Sequence, residues 1–323
     1  MLPIYPKREK DQGKNMDYDI HNNLSENIID CHVKDQAGLN DFQKLPSQSN
    51  LAIDQVGISR YRFPILVESN SQLITKDALA KMSISLPEGK TGVNMSRLVQ
   101  ILQAEALEKP MNFSLMNTIV DRFQKELRDE LTDPLFEKCE LLIQYQHQRK
   151  QTSLKSHLWG WQYYPLTLKV NRVKEKTICS MTMNYEYSST CPCSLSMAKQ
   201  YEREFREGLT AEGNGIATAH SQRSLAIVEI FFTQENPVSI DELYLLLAAA
   251  LPTETQSMVK RLDEQAFAIL NGENPMFVEH AARNISTQLD TDSRIIDWSA
   301  EVEHFESLHS HNAQAKITKK LPC

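Results

Sequence analysis

Tyr187-Ser188-Ser189-Thr190-Cys191-Pro192-Cys193-Ser194 is the stretch around which the rest of the chain is organised. An alternating run, Thr177 to Tyr187, enters it as a strand, and a helical run, Leu195 to Leu209, leaves it. Packing does not require cysteines at a strand end. Placed there, with Pro192 restricting the local backbone, a thiolate can point into a cleft between a sheet and the following helix. Three later strings carry complementary chemistry: Ala219-His220-Ser221-Gln222-Arg223-Ser224, Lys260-Arg261-Leu262-Asp263-Glu264 and Glu306-Ser307-Leu308-His309-Ser310-His311-Asn312. Together they supply soft and hard ligands, bases and positive charge.

With 323 residues, 41% of them hydrophobic and 24% charged, the chain can bury a full core in one large or two ordinary domains. No apolar run approaches the length of a membrane span. The basic patch Lys7-Arg8-Glu9-Lys10 has no apolar stretch after it, so no signal peptide is read and the expected location is cytoplasmic. The net charge of -7 argues against a nucleic-acid partner but not against a small anion held by local arginines. Six cysteines in a chain of this length do not form a disulfide framework, and a lone CxC is a weak zinc signal.

Outward from the centre, residues 1–50 read as a poorly packed lead-in. Strands are expected over Ile53–Leu66, with Gly57 at a bulge and Pro64 at an edge or end, and over Ala78–Leu86, stopping at Pro87-Glu88-Gly89. Ser96 is expected to cap a helix over Leu98–Leu107. Met111–Gln148 reads as one long helix or a broken pair, because Leu115, Ile119, Phe123, Leu127 and Leu131 recur at spacing four and Leu135, Cys139, Leu142 and Ile143 continue beyond Pro134. Gln146–Ser156 reads as a polar linker. A hairpin follows, from Trp159 to Val173 and from Ser180 to Tyr187, with Arg172–Lys176 as its turn. Beyond the cysteines come a strand over Ile216–Phe232, a helix capped by Ser239 or Asp241, helices starting at Thr255 and Pro275, and strands over Ser293–Phe305 and His311–Thr318. The repeated order of strands and helices suggests duplication of a small ββ-αα-ββ unit.

Each chemical residue has an ordinary alternative. Cys191 is a ligand, a nucleophile or a small buried hydrophobe. His220 is a ligand or a hydrogen-bonded structural histidine. Glu306 and His309 share a face only on a helical turn or tight loop, and His309 and His311 only on a strand. Convergence of these groups would make a mixed sulfur, nitrogen and oxygen site suited to zinc and tolerable for iron or manganese. Arg97, Arg223, Lys260 and Arg261 nearby would favour an anionic substrate. No GxxxxGK[ST] or GxGxxG loop is present.

Taken in order, Gly92–Arg97, Trp161–Pro165, Ser188–Ser194, His220–Ser224, Lys260–Gln265, Met276–Glu279 and Glu306–His311 resemble the type IB GTP cyclohydrolase I family over about residues 50 to 318. The resemblance implies an α+β fold of tandem tunnelling-fold units, residues 51–155 and 156–323, each an antiparallel sheet covered on one face by helices. It implies a homotetramer with active sites at subunit interfaces. The implied reaction opens the imidazole ring of GTP, releases formate and yields 7,8-dihydroneopterin triphosphate for tetrahydrofolate biosynthesis.

By that resemblance Cys191, His220, Glu264, Glu306 and His309 are the metal-site or water-orienting groups, with zinc first and manganese or iron(II) as alternatives. Glu279 is similar to the carboxylate that grips the guanine N1–H and amine, and His309 or His311 would move protons. Cys193 is left structural. The family commonly has a histidine where Asn94 stands and an aspartate where His280 stands. The alternative is a reductase acting on a 7-deazaguanine nitrile, or another pterin or purine enzyme of the same fold.

Overall fold

Alternation of buried and exposed residues along the strands dictates the architecture, because a pleated strand sends successive side chains to opposite faces. In the computed structural model, residues 34, 37–39, 43, 47, 51–69, 72–128 and 136–319 are described. Most of the expected lead-in, residues 1–50, lies outside them. Met1–Leu51 with Glu88–Gly92 form one unit, in which the Ser47 amide donates to the Gly89 carbonyl at 2.9 Å. The second unit, Ala52–Pro87 with Val93–Cys323, carries all the elements below.

Its strands are β1 (Ile53–Ser69), β2 (Gln72–Leu86), β3 (Lys138–Thr152), β4 (Trp159–Val173), β5 (Lys176–Thr190), β6 (Ser221–Thr233), β7 (Asp297–His304) and β8 (Ala313–Thr318). They form a single antiparallel sheet in sequence order. Six helices are described: α1 (Met95–Ala106), α2 (Phe113–Glu126), α3 (Pro192–Arg206), α4 (Ile240–Ala250), α5 (Arg261–Glu273) and α6 (Val278–Leu289). None of them is long and apolar enough to cross a membrane.

One face of the sheet carries an apolar core that crosses all eight strands. Ile65, Met82, Leu141, Leu168, Met183, Val228 and Ala300 are among its buried residues, and α1, α2, α4 and α6 lay Leu102, Phe123, Leu247 and Ile285 against it. Each such large side chain contributes roughly 1.5–3 kcal/mol on burial. Helix α3 buries only Ala198, and α5 buries only Asp263 and Asn271, so neither belongs to this core.

The edge position of β1 accommodates Pro64, which has no N–H to donate. The β1–β2 register shifts on both sides of Gly57, where a Cβ would run into the Met82 carbonyl. Helix α1 begins at Met95, not Leu98. Asn94 holds the N-cap position and accepts from the Ser96 hydroxyl at 2.6 Å, so Ser96 lies inside the helix.

The long helix read over Met111–Gln148 is corrected. Its first half is α2, and residues from Lys138 on are β3. Cys139, Leu141, Ile143 and Tyr145 are buried at alternate positions. A spacing of four fits both a helical stripe and every second step of a strand, which made Cys139 and Ile143 ambiguous. Leu131, Pro134 and Leu135 lie outside the described residues. The stretch read as a linker, Gln146–Ser156, is mostly the polar end of β3.

Strand β4 pairs with β3 along its whole length but with β5 only from Leu166 to Val173. The flank of β5 left open is taken by Thr253-Glu254-Thr255, where the Ser188 amide donates to the Thr253 carbonyl at 2.8 Å and Thr255 to Glu186 at 3.3 Å. The helix expected from Thr255 therefore starts only at Arg261. Glu254, 8% exposed, accepts from the Tyr164 hydroxyl and from Tyr244 at 2.9 Å.

Candidate active site

The apolar face turns polar at one end of three adjacent strands. Along β5, Met181, Met183 and Tyr185 give way to Tyr187, Ser189 and then Cys191; along β6, Val228 and Ala226 give way to Ser224, Gln222 and then His220. On β7, Val302 is followed at the same parity by His304 and Glu306. Tyr187 is opposite Ser224, Ser189 opposite Gln222, and Ser224 opposite His304. Side chains two apart share a face, so the period that builds the core also delivers Cys191, His220 and Glu306 to its rim.

Local structure fixes each group. Cys191 is the N-cap of α3, with Pro192 in the first turn, where a missing N–H is harmless. Its amide donates to the His220 carbonyl at 3.2 Å, and the His220 amide donates to Ser194 Oγ at 3.2 Å. His220 Nδ1 lies 2.9 Å from Gln222 Oε1, Gln222 Nε2 donates to Ser189 Oγ at 2.8 Å, and Ser224 Oγ donates to the same oxygen at 2.8 Å. Glu306 Oε2 is 3.6 Å from His220 Nδ1, and these side chains are 12% and 15% exposed. That oxygen is buried and has no hydrogen-bond partner among the described residues.

Beneath this rim, His304 Nε2 and Tyr187 Oη are 2.9 Å apart and both side chains are buried. Burial pulls the His304 imidazole down to about 4, against the opposing field of the Glu279 carboxylate. The Met276 amide, just before α6, donates to the Thr190 carbonyl at 3.0 Å and ties that helix to the end of β5.

Of the residues expected from sequence, the fold makes Cys191 and His220 cross-strand neighbours and sets Glu306 against His220. The others are exposed, though the Glu279 carboxylate is near enough to act on the His304 imidazole. Glu264 is exposed on the first turn of α5, and Glu279 is exposed on the first turn of α6. His309 and His311 are exposed in the β7–β8 loop, their rings stacked at 5.0 Å. Among the described residues, no three Cys, His, Asp or Glu groups come together in a way that could hold a metal ion.

Arg97 donates to the Arg128 carbonyl at 3.3 Å, and Arg223, 70% exposed, lies 3.5 Å from Glu186. Lys260 is the N-cap of α5, and its amide donates to buried Asp263 at 2.8 Å. Cys139 and Cys179 are core thiols pushed by burial up to about 12 and about 11, whereas Cys191 is half-buried and Cys193 exposed. His280 Nδ1 accepts from the Phe277 amide at 3.3 Å, so this histidine closes the start of α6 as an aspartate there can.

Sequence reading missed Ser189, Gln222, Ser224 and His304. The available signal was their parity: polar residues at core-face positions of strands, in step with Cys191 and His220.

The family described as type I GTP cyclohydrolase FolE2 matches residues 39–315. The GTP cyclohydrolase FolE2 of Dinoroseobacter shibae is 37% identical over 298 residues, 90% of this chain and 76% of that protein. The FolE2 of Hydrogenovibrio crunogenus is 34% identical over 286 residues, 84% of this chain and 90% of that protein. Among solved structures, uricase from Arthrobacter globiformis is similar at a TM-score of 0.49 and 10% identity, over 84% of this chain and 95% of that one. The chain belongs to the type I GTP cyclohydrolase FolE2 family and is an enzyme of the GTP cyclohydrolase class.

Proposed function

We propose that this enzyme opens the guanine imidazole ring of GTP with the help of a divalent metal, releasing C8 as formate and giving 7,8-dihydroneopterin triphosphate. The observation that carries the metal is the Glu306 carboxylate oxygen, buried without a partner 3.6 Å from His220 Nδ1. A buried unpaired carboxylate is strongly disfavoured, and a cation beside it removes the penalty. The donor chemistry fits: a thiolate, an imidazole and a carboxylate suit zinc first, and manganese or iron(II) less well. Cys191 and His220 would hold it, with Glu306, Glu264 and His309 as further ligands or water-orienting groups. When bound, such an ion supplies Lewis acidity and lowers the pKa of a coordinated water.

The chain's own groups do the rest. Glu279 accepts the parallel N1–H and amine donors of guanine and so fixes C8 over the Cys191–His220 rim. His309 or His311 protonates N7 as the ring opens and carries protons afterwards. Arg223, Lys260 and Arg261 favour the triphosphate. A thioimide-forming nitrile reductase, the alternative suggested by Cys191, needs no metal cage and leaves the Glu306 carboxylate near His220 without a role.

Glu264, His309 and His311 are exposed in the single chain, and α5 exposes Leu262 and Ile269. Both features support a homotetramer of tandem tunnelling-fold units, residues 51–155 and 156–323 after the 1–50 lead-in, whose sites are completed across subunit interfaces. The free thiols fit a reducing cytoplasm, where the product enters tetrahydrofolate biosynthesis. No nucleic acid or membrane is needed.

The test is metal-reconstituted protein with GTP, following formate release and oxidised-pterin fluorescence together, with Cys191→Ala in parallel. Signal lost in the variant supports the reading. Absence of formate with zinc, manganese and iron(II) would sink it.

A further inference from the structure

We propose that Gln222 is a positioning residue for His220: its amide, locked by Ser189 and Ser224, holds the imidazole in the Nδ1–H tautomer and leaves Nε2 as the nitrogen available to a divalent cation. The inference rests on the metal reading above.

Two independent constraints agree on the tautomer. Gln222 Nε2 is committed as a donor to Ser189 Oγ at 2.8 Å, so Oε1 is the amide atom facing His220 Nδ1 at 2.9 Å. A carbonyl oxygen only accepts, and Nδ1 must therefore carry the hydrogen. Turning the amide over would set its NH2 against Nδ1, which would then carry no proton 3.6 Å from the Glu306 carboxylate oxygen. A lone pair facing a carboxylate is repelled, whereas an N–H is attracted. The carboxylate thus selects the same tautomer as the amide.

The network is also shielded from exchange with water. Ser189 and Ser224 are fully buried and Gln222 is 8% exposed. Ser189 accepts from both Gln222 and Ser224, so the amide is tied to a buried hydroxyl pair. Beyond Ser224 and its cross-strand partner Tyr187, the next core-face pair is Ala226 and Tyr185, both fully buried. Packing alone would have been served by apolar residue types at 189, 222 and 224. A polar relay there instead ends on the one ring whose orientation matters. Ligating histidines generally depend on such an outer partner for ring orientation and basicity.

The experiment compares zinc affinity by chelator competition, and the cobalt(II) absorption spectrum, for the parent, Gln222→Leu and Gln222→Glu. The leucine is close in volume but accepts nothing from Nδ1–H, so zinc binding should weaken about 10- to 100-fold. The glutamate keeps an acceptor facing Nδ1, and Ser189 can turn its hydroxyl to donate to it; binding should return to within about threefold of the parent. A role limited to satisfying Ser189 predicts no difference in zinc affinity between parent and leucine variant, and that result overturns the proposal. Long-range ¹⁵N–¹H correlation of the metal-free parent reads the tautomer directly and needs no variant to fold. The Nδ1–H pattern is expected for His220; the Nε2–H pattern overturns the assignment. If the parent binds neither zinc nor cobalt, the metal reading fails, while the tautomer measurement still decides the role of Gln222.

Discussion

Glu306 Oε2 sits 3.6 Å from His220 Nδ1, buried and without a hydrogen-bond partner, on the rim where the sheet's apolar face ends. The separation is too long for a hydrogen bond, and this oxygen is itself buried from water. Glu306→Gln removes the charge and keeps the shape. The metal-free variant should be more stable than the parent by about 1 kcal/mol, read as a rise in Tm. Formate release should fall by about two orders of magnitude or more. A variant both less stable and fully active would contradict the assignment.

Cys191 has two roles that a substitution can separate. Its backbone occupies the N-cap of α3 and its amide bonds the His220 carbonyl, while its half-buried thiol makes no capping hydrogen bond. Cys191→Ser supplies a favoured N-cap residue, so Tm should hold or rise slightly. Oxygen replaces the soft ligand, and zinc binding and ring opening should be lost. Circular dichroism melts alongside zinc titration check both halves.

The strap Thr253–Thr255 is held to the sheet by Glu254, whose carboxylate takes hydrogen bonds from Tyr164 and Tyr244. Tyr164→Phe leaves a buried carboxylate with one tyrosine donor, which should destabilise the fold by about 1–3 kcal/mol. Hydrogen exchange should quicken at the Ser188 and Thr255 amides, which bond across this junction. Unchanged protection there would show that the strap is held by other contacts.

His147 gives the fold a predictable acid response. Burial, with Arg149 and Lys76 nearby, lowers its imidazole to about 4, while an unfolded histidine titrates near 6.5. Between those values the unfolded chain binds the extra proton. Stability is therefore complete above pH 6.5 and declines as the pH falls from 6.5 to 4. The loss traceable to His147 should reach about 1–2 kcal/mol after solvent screening. His147→Gln should flatten the corresponding part of the Tm–pH curve; an unchanged slope would assign the response elsewhere.

Much of this protein was legible in local pattern. Strand patterns located β4, β5 and β6, Ser239 or Asp241 marked the start of α4, where the structure shows Ser239 in a full capping box, and Cys191-Pro192 marked the strand-to-helix junction. Each feature depends on residues within one turn or one hairpin. The confusion of β3 with a helix has the same root: a spacing of four satisfies both periods, and only pairing with β2 and β4 separates them. The strap at Thr253–Thr255 was not legible, because it is defined by a gap between β4 and β5 that no local signal announces.

For the site, residue types and order offered Cys191, His220 and Glu306 together with Glu264, Glu279, His309 and His311, and roles for them came from the family resemblance. The meeting of the first three was a tertiary matter, since register across β5, β6 and β7 sets which of the many polar residues share a rim. The unpartnered oxygen of Glu306, the relay through Gln222 and Ser189, and the exposure of Glu264 and His309 follow from that register and from what packs over it. Sequence by itself determined the periodicities, the caps and the chemical inventory, because these rest on short-range sterics and hydrogen bonding. Only the tertiary structure decided which groups are buried together and which carry an unmet charge, because desolvation depends on neighbours distant along the chain.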